Sequence, residues 1–178
     1  TQGLSTRNRS IGCCFIATLA VSLRDVQPRE PQPIRPLGST IHGAWQLVSY
    51  LVEAKANGDS FPPMGNSPKG FVIFTPEGRL SFMLSAERRQ AAESMEDKAN
   101  LLSSMIAYMG TYKLEQNRWI THVDVAWNPE WVGTEQTRYF QIEGDQLTVH
   151  TPWRVMPNWP EKGLTRSIVT FQRCNEQR

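Results

Sequence analysis

The sequence has few cysteines, and their positions exclude two ways of stabilising a small domain. Three cysteines occur among 178 residues: Cys13 and Cys14 are adjacent, and Cys174 stands alone near the C-terminus. This arrangement excludes a disulfide framework, and no spacing of cysteine and histidine suggests a structural zinc site. We therefore predict no metal, and we expect a hydrophobic core to hold the fold.

The sequence also lacks a strong charge of one sign once its N-terminal region is set apart. Residues 1–40 contain five arginines and two acidic residues, whereas residues 41–178 contain fourteen Lys and Arg against fifteen Asp and Glu. No block of like charges appears in the second region. The domain is therefore not expected to present a cationic surface, and no nucleic-acid partner is predicted.

Motifs that mark several large enzyme classes are missing as well. The sequence contains no nucleophile elbow, no phosphate-binding glycine loop and no dinucleotide fingerprint. We therefore predict no cofactor. The apolar run at residues 11–23 is too short to span a bilayer comfortably, so no membrane-spanning segment is predicted.

Residues 1–23 have the pattern of a targeting segment. Arg7 and Arg9 precede the apolar run, and Ala20-Val21-Ser22 offers a small-x-small cleavage pattern. This pattern predicts a secreted protein, whereas an untrimmed or mis-assigned N-terminus would leave a cytoplasmic one. The four prolines within residues 24–40 predict an extended linker, followed by a folded domain at 41–174 and a tail at 175–178.

From residue 41 onward, short alternating apolar runs are separated by turn residues. Their mostly short connections predict a mainly β fold, an antiparallel up-and-down barrel or a sandwich of about eight strands. The predicted strands cover residues 42–52, 70–75, 79–85, 112–115, 119–127, 134–142, 146–151 and 164–173.

One α-helix is predicted between the third and fourth of these strands. Residues 86–108 contain neither glycine nor proline and are rich in Ala, Glu, Met and Leu. Apolar residues at helical spacing would form one face, with charged residues on the other. Such a helix could plug one mouth of a barrel.

Arg138 is a candidate for ligand recognition because of its place in the strand at 134–142. Alternation puts Gln136, Arg138, Phe140 and Ile142 on one face, and the apolar members predict that this face is inward. A buried guanidinium needs an anion, a carbonyl or a carboxylate partner. That partner is either a ligand or a structural ion pair, unless only the stem of a rim arginine is buried.

His122 is a candidate proton-transfer group whose orientation is ambiguous. On hydropathy, Trp119, Val123 and Trp127 form the inward face of their strand, which turns His122 outward together with Asp124. The spacing of His122 and Asp124 would allow an imidazole–carboxylate pair for acid–base chemistry, or a surface pair without function.

Tryptophan-containing loops offer apolar surface for a ligand. Trp127 and Trp131 flank one such loop, and Trp153 lies in another loop with several prolines. These side chains, together with Phe140, could line a barrel mouth, or they could be core and hinge aromatics.

A longer set of motifs resembles the bacterial and fungal lipocalin-like domain family. The resemblance covers essentially the whole domain and excludes the first forty residues. It rests on Gly43-x-Trp45-x-Leu47-Val48-Ser49, Gly70-x4-Thr75-x2-Gly78-Arg79-Leu80-Ser81, Tyr108-x-Gly110-x-Tyr112, Thr121-His122, Pro129-x-Trp131-Val132-Gly133-x2-Gln136-x-Arg138, Gly144-Asp145-x-Leu147 and the closing Arg173.

The resemblance implies a lipocalin-like barrel with marked structural and polar positions. Trp45 would close one barrel end, with Arg173 packed across its ring. The marked polar positions fall on His122, Gln136 and Arg138, with Tyr112 nearby in the pattern. An inward His122 conflicts with hydropathy unless a bulge near Asp124 reverses the alternation.

Two functions follow from this barrel. Some members of the family accompany polyketide or other secondary-metabolite pathways, which implies a cofactor-independent cyclase or isomerase for a polyketide- or terpenoid-like intermediate. Arg138 and Tyr112 would then hold an oxygen while His122 shuttles a proton. The alternative is a non-catalytic secreted carrier, in which Arg138 and Gln136 only select the polar end of an apolar ligand. The oligomeric state is not predicted.

Overall fold

Antiparallel strands make up most of the structure, a computed structural model that describes residues 41–156 and 160–174. The predicted targeting segment, the linker and the C-terminal tail lie outside these residues. The strands are β1 (Gly43–Ala54), β2 (Ser60–Phe61), β3 (Lys69–Phe74), β4 (Arg79–Ser85), β5 (Met105–Glu115), β6 (Arg118–Ala126), β7 (Glu135–Glu143), β8 (Gln146–His150), β9 (Arg154–Val155) and β10 (Leu164–Arg173).

The eight longer strands form a closed barrel. They follow one another in the order β1-β3-β4-β5-β6-β7-β8-β10, and β10 pairs again with β1 to close the sheet. The two-residue strands β2 and β9 pair with the C-terminal end of β1 and the N-terminal end of β10. The predicted mainly β, antiparallel barrel of about eight strands with one helix is confirmed. Of the two alternatives, barrel and sandwich, the structure is the barrel, because β1 and β10 pair.

The extent of the predicted helix at residues 86–108 is wrong. The helix α1 covers only Met95–Ser103, and it buries none of its residues, so it does not act as a plug. Ser94 begins it with a capping box, in which Ser94 Oγ accepts from the backbone N–H of Asp97. Residues 105–108 join β5 instead, because Tyr108 pairs with Phe82 of β4 and becomes buried. This pairing overrides the local helix propensity.

One end of the barrel is closed by aromatic side chains. Trp45 is fully buried there, and the ring of Phe74 meets the rings of Trp119 and Tyr112 edge to face, with centroids 5.0 and 5.3 Å apart. The β3–β4 turn that begins at Thr75 lies at this end, because Gly43 at the start of β1 pairs with Phe74 at the end of β3. We call this the closed end, and the opposite end, where β2 and β9 lie, the open end.

A bulge in β6 sets which side chains enter the barrel near the open end. Met109 pairs with Val125 and Gly110 with Val123, so Asp124 is the extra residue. Gly110 allows the close approach of the two strands, since a Cβ at this position would lie only 1.9 Å from the carbonyl oxygen of His122.

In the part of the chain that the structure describes, no helix is long and apolar enough to cross a membrane.

Candidate functional site

Arg138 lies inside the barrel, on the face that the alternation of β7 predicts. Arg138 is only 8% exposed. Its neighbour on the same face of β7, Phe140, is buried, and so is Trp119, its partner on β6. Nη1 donates to the carbonyl oxygen of Thr137 at 2.8 Å, and both Nη atoms lie 3.4 Å from Oε1 of Gln136. Among the described residues, no carboxylate forms an ion pair with Arg138. Within the described residues, the buried guanidinium therefore has only neutral hydrogen-bond partners.

Gln136 orients this guanidinium from the same strand. Its Nε2 donates to Oγ1 of Thr134 at 3.0 Å, which leaves Oε1 directed toward Arg138. The structure thus brings together Gln136 and Arg138, two of the residues that the sequence marks.

A second arginine, Arg154, enters the same interior. Arg154 pairs across β9 and β10 with Thr165, and directly paired residues of antiparallel strands point to the same face. Thr165 is fully buried in the barrel, so Arg154 is directed inward as well. Burial lowers the pKa of Arg154, and the positive charge of Arg138 lowers it further. Sequence analysis missed this residue because a strand of two residues has no alternation to detect.

Two buried tyrosines face the arginines. Tyr50 shares a 3.1 Å hydrogen bond with Oγ of Ser167. The Tyr108 hydroxyl lies beside the guanidinium of Arg138, which is a donor, and its proton has no acceptor among the described residues. Burial raises the pKa of both hydroxyls, and the charges of Arg138 and Arg154 act in the opposite direction. The polar part of the interior therefore contains two cations, Arg138 and Arg154, together with the hydroxyl groups of Tyr50 and Tyr108.

Tyr112 lies apart from this group. It is half-buried at the closed end, and its hydroxyl donates to the carbonyl oxygen of Thr75 at 3.1 Å. Burial raises the pKa of this hydroxyl, and the negative charge of Glu77 raises it further. The structure thus engages the Tyr112 hydroxyl with the β3–β4 turn, and it is Tyr108 on the same strand that faces Arg138.

His122 lies on the outer surface of the barrel, as hydropathy predicts. It borders a surface groove of about 400 Å³ together with Lys113 and Glu135. The bulge at Asp124 is present, but it follows His122 in the chain and so reverses only the later positions. Asp124 forms an ion pair with Arg79 at 2.8 Å. The structure therefore does not bring His122 together with Arg138, and the catalytic role of His122 gains no support from its position.

The three loop tryptophans that the sequence predicts at a barrel mouth, Trp127, Trp131 and Trp153, separate into two groups. Trp127 and Trp131 meet edge to face with ring centroids 4.8 Å apart, and the ring of Trp131 lies 5.6 Å from that of Tyr108. These two side chains lie near the polar interior. Trp153 instead packs on the outside, where the guanidinium of Arg166 lies 4.6 Å from its ring centre. The structure does not bring Trp153 into the interior, because it stacks on an arginine that faces outward on β10.

Phe140 and Phe82 supply apolar surface beside the arginines. Phe140 is buried next to Arg138 on β7, with its ring 5.5 Å from Trp119, and Phe82 stacks on Tyr108 at 5.1 Å. Among the described residues, no group of three His, Cys, Asp or Glu side chains could hold a metal ion. The interior therefore combines a cationic, hydroxyl-rich part with aromatic walls.

Comparison with known proteins assigns a family to this barrel. A family model described as a lipocalin-like domain matches residues 42–174, which include all the long strands and every interior residue described above. Comparison with curated proteins gives no match.

Proposed function

Because the chain belongs to the lipocalin-like domain family, we propose that its barrel binds one small, largely apolar molecule whose polar end meets Arg138. The observation that carries this proposal is the buried guanidinium of Arg138, which has neutral partners but no carboxylate among the described residues. Burying a charge without a counterion is costly. A ligand oxygen at this position would offset that cost, since guanidinium groups bind such oxygens with directed hydrogen bonds.

The surroundings of Arg138 support an apolar body for the ligand. The ring of Phe140 lies next to it on β7, and Phe82, Tyr108 and Trp131 form a connected set of aromatic contacts toward the open end. Aromatic walls with few polar groups are typical of small-molecule sites. Arg138 and Gln136 would then select one end of the ligand while the aromatic rings bind the rest.

Intrinsic fluorescence tests this proposal, because Trp119 and Trp131 lie beside the interior residues. Titration with a neutral apolar probe, N-phenyl-1-naphthylamine, should give saturable quenching of the tryptophan emission and a matching rise in probe fluorescence. Native mass spectrometry of the purified protein should show a co-purifying small molecule. Absence of saturable probe binding, together with a bare protein mass, would contradict the binding function.

A cofactor-independent cyclase or isomerase is the second candidate, and the position of Tyr108 favours it. The Tyr108 hydroxyl and the Arg138 guanidinium could stabilise an enolate oxygen while hydroxide from solvent removes the adjacent carbon-bound proton and becomes water. We propose that any such chemistry uses Arg138 and Tyr108 rather than His122, which lies outside. A role in secondary-metabolite biosynthesis stays a prediction, and secretion directed by residues 1–23, as we propose, would favour the carrier instead.

Proton exchange distinguishes the two candidates. The enzyme should accelerate solvent deuterium exchange at C2 of a medium-chain β-keto ester, followed by NMR. Tyr108→Phe should reduce the rate by about tenfold or more, because it removes one oxyanion donor. The matched control, Tyr139→Phe, changes an exposed tyrosine on β7 and should leave the rate unchanged. Exchange at the buffer rate would leave only the carrier.

A further inference from the structure

We propose that Arg154 and Arg138 together form a head-group site for an anionic oxygen group, so that the bound molecule is an apolar acid. This inference rests on the proposed function and names the chemical class of its ligand. The group is a carboxylate or a phosphate monoester, since both offer several charged oxygens to the two planar donor forks.

The register of β9 places Arg154 in the site. Arg154 pairs with Thr165, which is fully buried, and the neighbouring Ser167 is buried on the same face of β10. Ser167 in turn contacts the hydroxyl of Tyr50, so Arg154 and Tyr50 lie on the same inner side of the sheet near the open end. Nε of Arg154 donates to the sulfur of Met156, a weak acceptor, at 2.9 Å. Because this bond uses Nε, the Nη atoms of Arg154 can donate to a ligand.

The charge balance of the interior indicates the sign of the ligand. The buried polar and charged residues of the described chain include no aspartate or glutamate; they are Thr121, Arg138, Thr151, Thr165 and Ser167. Neither Arg138 nor Arg154 forms an ion pair within the described residues, and each opposes the other by like charge. Two guanidinium groups that share a low-dielectric volume repel each other, and an anion between them converts that repulsion into attraction.

The hydroxyl of Tyr108 is an independent pointer to the same ligand. Tyr108 is 2% exposed, its hydroxyl lies beside the guanidinium of Arg138, which is a donor, and no acceptor for the hydroxyl proton lies within the described chain. Buried hydroxyls are normally hydrogen-bonded. An anionic oxygen held by Arg138 would accept from this hydroxyl, which completes a set of donors from β5, β7 and β9.

Competition between ligands of one chain length tests the inference. Dodecanoic acid, dodecyl phosphate and dodecanol, all at submicellar concentrations, should displace bound N-phenyl-1-naphthylamine. We expect the preferred acid to bind about tenfold or more tightly than dodecanol, because charge-assisted hydrogen bonds exceed neutral ones. A preference for dodecanoic acid identifies a carboxylate site, and a preference for dodecyl phosphate identifies a phosphate site.

Variants assign the effect to Arg154. Arg154→Gln should reduce the affinity for the preferred acid to about that of dodecanol while leaving dodecanol itself unchanged, since only the acid uses the charge. Arg118→Gln is the matched control, because Arg118 is a half-exposed arginine paired with Glu115 on the outer surface. Circular dichroism of each variant confirms that the barrel is folded.

Failure of this inference can be distinguished from failure of the proposed function. Equal affinity for the acids and dodecanol, with probe binding intact, would overturn the anionic site and leave the apolar-ligand function standing. Acid binding that is unchanged in Arg154→Gln would also overturn the role of Arg154. Absence of binding by the probe and by all three dodecyl compounds would overturn both.

Discussion

The guanidinium carbon of Arg173 lies 4.0 Å from the centre of the Trp45 ring, and the two residues are direct partners across β1 and β10. Arg173 Nη1 also donates to the carbonyl oxygen of His42 at 3.0 Å, and Trp45 Nε1 donates to that of Ile41 at 2.8 Å. The first and last long strands are thereby joined at the closed end, in the arrangement that the family resemblance implies.

Trp45 and Arg173 should contribute unequally to the free energy of unfolding, although each truncation removes the contact between them. Trp45→Ala should lower the free energy of unfolding by about 3–5 kcal/mol, because it removes a fully buried aromatic ring. Arg173→Ala should cost about 1–2 kcal/mol, because it removes a cation–π contact and a hydrogen bond. Urea unfolding followed by fluorescence measures both, with Arg118→Ala, at a half-exposed arginine on the outer surface, as the control. Equal losses for Trp45→Ala and Arg173→Ala would contradict this account of the closed end.

Removal of the buried charge at Arg138 should stabilise the ligand-free barrel. Arg138→Met keeps an extended side chain and relieves both the desolvation of the guanidinium and its repulsion with Arg154. We expect the free energy of unfolding to rise by about 1 kcal/mol or more, while binding of the preferred acid is lost. Thermal unfolding with and without dodecanoic acid checks both effects. A marked loss of stability would instead show that the hydrogen bonds to Thr137 and Gln136 are needed for folding.

The buried tyrosines predict a loss of stability in alkali. Burial raises the pKa of Tyr50 and Tyr108 above the ordinary value of about 10, so the unfolded chain releases these protons first as the pH rises. The free energy of unfolding should therefore fall above pH 10, by up to about 1.4 kcal/mol per pH unit for each tyrosine. Tyr108→Phe should make this fall less steep, whereas Tyr139→Phe should not. Urea unfolding between pH 8 and 11 measures it, and equal slopes for Tyr108→Phe and the parent would refute the assignment.

The close strand approach at Gly110 predicts a severe effect of one added methyl group. A Cβ at Gly110 would meet the carbonyl of His122, which is backbone and cannot rotate away, so Gly110→Ala should destabilise the barrel by several kcal/mol, about 3 or more. The control is Gly144→Asn, where positive φ suits asparagine and no atom lies within 4 Å. Yield and melting temperature report the difference, and a normally stable Gly110→Ala protein would show that the bulge can rearrange.

The alternation of apolar and polar residues along single strands is the basis of much of the fold prediction. The strands at Arg79–Ser85 and Leu164–Arg173 have the predicted bounds, and the period of β7 placed Arg138 and Gln136 inside. The predicted helix at 86–108 is longer than the observed Met95–Ser103. At its C-terminal end, residues 105–108 suit a helix locally, and only the partner strand β4 makes them a strand. The sequence allows a bulge near Asp124 as the condition for an inward His122, and the bulge is present, but His122 precedes the extra residue and stays outside.

The amino-acid sequence by itself determined the class of the fold, the pairing of Trp45 with Arg173 through the family pattern, and the inward face of β7. These features depend on local periodicity or on motifs along the chain. Only the tertiary structure decided that Arg154 shares the interior with Arg138, that Tyr108 rather than Tyr112 faces them, and that Trp153 stays outside. Those relations join side chains from strands distant in sequence, and barrel closure and register, which no single segment encodes, set their positions.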